Sequence, residues 1–162
     1  MAATAYSLWL LPDVEKQGRL DDLVGRVAKE FNSSCFDFHV TLLGGIKSDN
    51  LPDLKASLVR LAGSLQPFDI SFGTNSIAVY DTWNQNLLLL AEDSPALNTA
   101  NLAAHRTFTD AAAQEAAFAA PSMRPHGSLL YGPHSMEERR QAEEWVRKEG
   151  CCSTAFWILM HT

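Results

Sequence analysis

Apolar and polar positions alternate along this chain in two periods, and the switches between them mark out its elements. Tyr6 to Leu11 reads as a strand stopped by Pro12-Asp13. Leu20, Leu23, Val24, Val27 and Phe31 then recur at helical spacing with charges between them, and Asn32-Ser33-Ser34 breaks that helix. From Phe36 the period drops to two: Phe36, Phe38, Val40 and Leu42 alternate with Asp37, His39 and Thr41. That is the pattern of a half-buried strand, ended by Gly44-Gly45. Leu51, Leu54, Leu58 and Leu61 mark a second helix, with its start signal in Ser48 to Pro52. Phe68, Ile70 and Phe72 alternate after Pro67, Ile77 and Val79 continue the pattern, and Asp81 to Asn86 reads as a hairpin turn before a central strand at Leu87 to Leu90. An alanine-rich helix begins at Ser94-Pro95 and runs toward Phe108, while Ala111 to Ala120 stays open between helix and loose connection. Pro121 and Pro125 bracket the entry to a further strand. Ser135-x-x-Glu138 is a capping box that opens a helix through Trp145 to Lys148, stopped by Gly150, and Thr154 to Leu159 reads as a last strand. The order is β-α-β-α-β-β-β-α-β-α-β, and no low-complexity linker separates its halves.

Two of these strands carry the same short pattern. His39-Val40-Thr41-Leu42-Leu43-Gly44 lies in the first third and His126-Gly127-Ser128-Leu129-Leu130-Tyr131-Gly132 in the last. Each is a histidine, a spacer, a hydroxyl residue and two leucines, with glycine at once or one residue later. On a strand, residues i and i+2 point the same way about 7 Å apart, so each copy presents one imidazole and one hydroxyl on one face. A single H-x-S/T pair arises by accident. Two matched copies, each on a strand and each before a helix, point to function.

Composition narrows the class. The 162 residues suit one domain, 1–162, which a duplication can divide into two lobes. At 46% hydrophobic and 20% charged the chain can bury a real core. A net charge of −6 argues against a surface built to grip a long nucleic acid. A small anion is still accommodated, with Arg124, Lys47 and the histidines as local positive charge. Cys35, Cys151 and Cys152 have no metal-ligand spacing and read as free thiols of a reducing compartment. Met1 to Leu11 lacks a basic n-region and reads as strand rather than signal peptide, and no stretch approaches the roughly 20 apolar residues of a membrane span.

The parts suit in-line attack on a cyclic phosphate. A base must take a proton from water and an acid must protonate the departing ring oxygen. Histidine serves both roles near neutral pH. Thr41 and Ser128 can donate to the non-bridging oxygens, where charge builds up in the transition state. The scheme requires no metal or other cofactor, and the chain shows no carboxylate–histidine cluster of metal-ligand type. The residues leave open which histidine does which, with His126 favoured as base and His39 as acid. His105, His134 and His161 read as solvated side chains. Trp83 and Tyr131 are candidates for stacking on a base or sugar, or for core packing. Strict alternation from Ser128 turns Tyr131 away from the cleft unless the strand bends.

HVTLLGG and HGSLLYG resemble the paired motifs of the two-histidine phosphoesterase superfamily. YSLWLLPD, WNQNLLLL and PHGSLLYG are most similar to its eukaryotic cyclic phosphodiesterase branch, known in plants and yeast, over Tyr6 to about Lys148. The resemblance implies a bilobal α+β fold: two pseudo-symmetric lobes of antiparallel sheet with flanking helices, the motifs facing across a central groove. It implies metal-independent hydrolysis of ADP-ribose 1″,2″-cyclic phosphate, a by-product of tRNA splicing, to ADP-ribose 1″-phosphate, with nucleoside 2′,3′-cyclic phosphates as further substrates. By position it makes His39 and His126 the catalytic pair and sets Thr41 and Ser128 on the phosphate, with Tyr131 and Trp83 as aromatics near the site. It also implies two antiparallel strands after the last helix, for which only Thr154 to Met160 is available. The expected partner is a small cyclic phosphate, with no stable nucleic acid complex, no membrane, a monomeric state and a cytoplasmic location. Two other functions fit the same parts: a 2′–5′ RNA phosphodiesterase or ligase-like enzyme on RNA ends, and a nucleotide- or RNA-binding module without turnover.

Overall fold

In the computed structural model, which describes residues 4–73, 75–82, 84–110, 112–115, 124–149 and 158–159, the chain is α+β around a five-stranded antiparallel sheet. The strands are β1 (Thr4–Leu10), β2 (Val40–Ser48), β3 (Asp69–Ile70), β4 (Ile77–Val79), β5 (Leu87–Leu90), β6 (His126–Leu130) and β7 (Ile158–Leu159). The helices are α1 (Val14–Glu30), α2 (Leu51–Ser64), α3 (Pro95–Phe108) and α4 (Met136–Lys148), with one further helical stretch at 112–115. The element order is the one the periodicity implies. The main sheet runs β1-β2-β6-β5-β4, and β3 pairs with β7 in a separate two-stranded sheet.

Helix starts follow their caps. Asp13 accepts from the Lys16 N–H at 3.0 Å, and Ser94 from the Leu97 N–H at 3.3 Å with Pro95 in the first turn. The Ser135–Glu138 capping box is complete, with Glu138 Oε2 accepting from the Ser135 N–H at 2.7 Å and Ser135 Oγ from the Glu138 N–H at 3.2 Å. Three helices bury a stripe, Leu20, Leu23, Val24 and Val27 from α1, Leu97, Ala100 and Ala104 from α3, Ala142 and Val146 from α4, whereas α2 buries only Leu61 and leaves Leu51 and Leu58 exposed. The buried residues join Phe38, Val40, Leu42, Leu87, Leu89, Leu129 and Leu130 in a single core. Residues of the opposite parity on β1, β2 and β6 are thereby left on the other face of the sheet.

The strands depart from the sequence pattern in three places. The first motif strand begins at Val40, not Phe36, because residues 33–39 have no ladder partner. Gly44-Gly45 does not end it: β2 continues to Ser48, with its register against β1 slipping between Tyr6 and Leu8 and Gly45 at φ +74°. A glycine absorbs the left-handed backbone such an irregularity needs. The Phe68–Phe72 alternation shrinks to Asp69–Ile70, and of the last strand expected over Thr154 to Leu159 the structure describes Ile158–Leu159.

The two motif strands are neighbours. β2 and β6 pair at one Cα pair only, Val40 opposite Gly127, whereas β6 and β5 share a run from Leu90–His126 to Leu87–Leu130. Gly127 is there for a steric reason. A Cβ at this position would overlap the far edge of the buried Phe38 ring, at its Cζ and Cε atoms. Past this junction the free Leu42 carbonyl takes a hydrogen bond from Asn101 Nδ2 of α3 at 2.6 Å instead of a strand partner.

Candidate active site

His39 immediately precedes β2, and His126 is the first residue of β6. Both rings are held in the same way. His39 Nδ1 lies 2.8 Å from the Asp37 carbonyl oxygen, and His126 Nδ1 lies 2.8 Å from the Arg124 carbonyl oxygen. A carbonyl can only accept, so each Nδ1 carries the hydrogen and each neutral ring keeps its lone pair on Nε2. Both imidazoles are half-buried. Each therefore offers one nitrogen to a ligand while the other fixes the ring's direction.

The antiparallel register at Val40–Gly127 points His39 toward Ser128 and Thr41 toward His126. Directly opposed residues in such a pair have Cβ atoms about 4.5–5.5 Å apart. The spacers Val40 and Gly127 face the core, so the four polar side chains share the opposite face. Thr41 is half-buried and Ser128 is buried, at 4% exposure. The sequence-derived set of His39, Thr41, His126 and Ser128 is thus brought together at the one point where the two motif strands touch.

Tyr131 joins them through a bulge. On β6 Ser128 opposes Leu88, but Leu130 opposes Leu87, so Leu129 is one extra residue. The extra residue inverts the alternation, and it explains why Leu129 and Leu130 are both fully buried. The turn away from the cleft that strict alternation requires is thereby cancelled before Gly132 is reached. Tyr131 packs on Phe36 with ring centroids 4.3 Å apart. The turn behind it is pinned by three donors: Ser33 Oγ to the Tyr131 carbonyl at 2.8 Å, His134 Nε2 to the same oxygen at 3.2 Å, and buried Asn86 Nδ2 to the Gly132 carbonyl at 3.0 Å.

Two aromatics at the site have no counterpart in the sequence reading. Trp9 of β1 is the Cα partner of Thr41, and its ring stacks on His39 at 3.8 Å between centroids and 15° between planes. Phe36 meets His39 edge-on at 6.5 Å. Trp9 remains 54% exposed, so part of the indole is open to a ligand. A signal for it exists in the strand period: Trp9 sits between buried Leu8 and Leu10, which puts a large aromatic on the non-core face. Phe36 carried no such signal, because its spacing matched the core residues Phe38, Val40 and Leu42.

The other candidates fall in different places. Arg124 is exposed two residues before His126, with Nη1 3.5 Å from the Tyr80 hydroxyl. Lys47 lies at the far end of β2 opposite Ala5, away from the motifs. His134 is a structural donor rather than a solvated ring, and His105 is half-buried with its Nδ1 enclosed. Trp83, Cys151, Cys152 and His161 lie outside the described residues, and Cys35 is an exposed free thiol. Among the described residues no group of three or more His, Cys, Asp or Glu side chains is arranged to hold a metal ion, and no helix is long and apolar enough to cross a membrane.

A family model described as cyclic phosphodiesterase-like protein matches residues 2–152. No curated protein matches the chain. The family match covers both motifs and supports cyclic phosphodiesterase chemistry at the general level.

Proposed function

The chain belongs to the cyclic phosphodiesterase-like family, and from that premise we propose that it hydrolyses small cyclic phosphates by two-histidine acid–base catalysis. The observation that carries this reading is the matched anchoring of the two rings, each with Nδ1–H on the carbonyl two residues earlier and Nε2 left for the substrate. Neutral Nε2 of one histidine takes a proton from water as its oxygen attacks phosphorus. The protonated Nε2 of the other gives its proton to the ring oxygen as the P–O bond breaks, so the product is a monoester. Thr41 and Ser128 donate to the non-bridging oxygens. His126 is assigned as base and His39, whose ring stacks on Trp9, as acid.

Trp9, Phe36 and Tyr131 form an aromatic wall beside His39. It suits a substrate that carries a base or ribose, and ADP-ribose 1″,2″-cyclic phosphate is the proposed substrate, with nucleoside 2′,3′-cyclic phosphates as alternatives. The chain is proposed to have two lobes related by duplication, one built on each motif strand, a reading supported by the single pair that joins β2 to β6. The enzyme is proposed to act as a cytoplasmic monomer, independent of metal and of any stable nucleic acid complex.

Incubation with each cyclic phosphate in the presence of EDTA, followed by phosphorus NMR, tests the proposal. Conversion to one monoester regioisomer is the expected result. Nucleotide binding by the folded protein without product would replace the reading with that of a binding module.

A further inference from the structure

Residues 33–39 lead into the first motif without strand partners, yet His39 needs a fixed Asp37 carbonyl to hold its Nδ1–H. Helix α1 supplies the missing constraint. Asp21 Oδ1 accepts from the Phe38 N–H at 2.7 Å and from Gln17 Nε2 at 2.7 Å, and the same Gln17 Nε2 donates to the Phe38 carbonyl at 3.0 Å. Gln17 and Asp21 are one turn apart and so share a helix face. The Phe38 N–H and the Asp37 carbonyl belong to one planar peptide unit, so fixing either fixes the other.

We propose that Asp21, braced by Gln17, is a positioning residue for His39 that acts through the Asp37–Phe38 peptide. The chain of contacts runs from the Asp21 carboxylate to the Phe38 N–H, across that peptide to the Asp37 oxygen, and on to His39 Nδ1–H. A charge-assisted bond to the N–H orients the peptide and polarises its carbonyl, which strengthens the carbonyl's hold on the imidazole. His126 cannot be served this way. Its acceptor is the Arg124 carbonyl, whose peptide continues into Pro125 and has no N–H. The ladder with β5 takes over, through the Leu90–His126 pair and the Ala91 N–H bonded to the Pro125 carbonyl at 2.9 Å.

The inference rests on the two-histidine reading for its effect on rate, but not for its effect on the ring. Nitrogen-15 NMR of the histidine side chains reads the tautomers directly. Asp21→Ala is expected to move His39 from the Nδ1–H form toward a mixture, leave His126 unchanged, and lower kcat on a cyclic phosphate by about tenfold to a hundredfold with KM nearly constant. Asp21→Asn keeps an oxygen that can accept both bonds and is expected to restore the tautomer and most of kcat. Gln17→Ala, which keeps the bond from Phe38 to Asp21, is expected to give a smaller change of the same kind and serves if Asp21→Ala does not fold. An unchanged His39 tautomer in Asp21→Ala, or in Gln17→Ala where that variant stands in, overturns the proposal, as does an Asn variant no better than the Ala variant. His39→Ala is the control: if it turns over like the wild type, the acid–base reading has failed, and the tautomer shift still decides the role of Asp21.

Discussion

The two motif regions solve one problem with different materials. In both, a histidine leaves Nε2 available while Nδ1 is tied to the carbonyl two residues back. The second motif does this inside a strand, with β5 alongside and a bulge at Leu129 to turn Tyr131 into the site. The first does it ahead of its strand, with side chains of α1 replacing the ladder and Trp9 of β1 lying on the ring. What is conserved between the copies is therefore the bond at Nδ1 and not the secondary structure around it. A histidine's direction is set by the partner of its other nitrogen, and any scaffold that fixes that partner will do.

The largest expected effect tests the equivalence of the copies. His39→Ala and His126→Ala should each lower kcat on a cyclic phosphate by about 10²–10⁴-fold, the range for loss of a positioned acid or base. The double variant should be only slightly slower than the poorer single, because the residues act in one step. Initial rates by phosphorus NMR decide it, and near-normal turnover in both single variants would break the comparison at its root.

The spacers differ in a way that stability can read. Val40 fills core space, whereas Gly127 leaves room for the Phe38 ring. Gly127→Ala should cost about 1–3 kcal/mol by forcing Phe38 aside. Adding Phe38→Leu should recover part of that loss, because the two side chains compete for one space and their effects do not add. Thermal unfolding of Gly127→Ala, Phe38→Leu and the double variant measures both terms. Independent, additive losses would show that the contact is not the reason for the glycine.

The aromatic partners divide the site further. Trp9→Leu removes the ring stacked on His39 and should lower kcat by about twofold to tenfold, the scale of one stacked pair. Tyr131→Leu should instead raise KM by a similar factor for substrates that carry a base, and leave a base-free ribose cyclic phosphate unaffected. Equal effects on kcat and KM in the two variants would merge the roles.

Much of this arrangement is legible along the chain, and the gaps have physical causes. Helices and strands were readable where one face is buried, as at Leu20 to Val27, because burial imposes the period, and Leu87 to Leu90, buried on both faces, was readable as an unbroken apolar run. The proposed site residues His39, Thr41, His126 and Ser128 were readable because the motif repeats its spacing. The start of β2 was not, since an extended segment with period-2 pattern looks the same whether a strand or a helix side chain satisfies its backbone. The bulge at Leu129 was hidden too: Leu129-Leu130 reads as an ordinary apolar pair, and only the register against β5 shows that one of them is extra. Asp21 and Gln17 lie on the charged side of a helix stripe, where nothing local distinguishes a solvated carboxylate from one that holds a distant peptide.

The smallest expected effect lies in the helix that follows each motif strand. After β2, Asn50 caps α2 with its Oδ1 on the Asp53 N–H at 3.2 Å and its Nδ2 on the Asp53 carboxylate at 2.6 Å, while the Asn50 N–H goes to Ser48 Oγ and not to a carboxylate. After β6, Glu138 closes the capping box of α4, and the Ser135 hydroxyl and N–H donating to its carboxylate hold its pKa below the ordinary glutamate value. A carboxyl lowered in the folded state contributes stability that is complete above its unfolded pKa and disappears as pH falls through the folded one. Glu138→Gln keeps an acceptor but no charge. It should therefore unfold at a slightly lower temperature than the wild type at neutral pH, with the gap closing as acid titrates the wild-type carboxyl. Asn50→Ala removes a cap on a backbone N–H that acid does not titrate, so much of its deficit should persist over the same range. Melting curves of the three proteins from pH 7 to pH 3 separate a charged cap from a neutral one, and a gap for Glu138→Gln that persists into acid would assign its stabilisation to hydrogen-bond geometry alone.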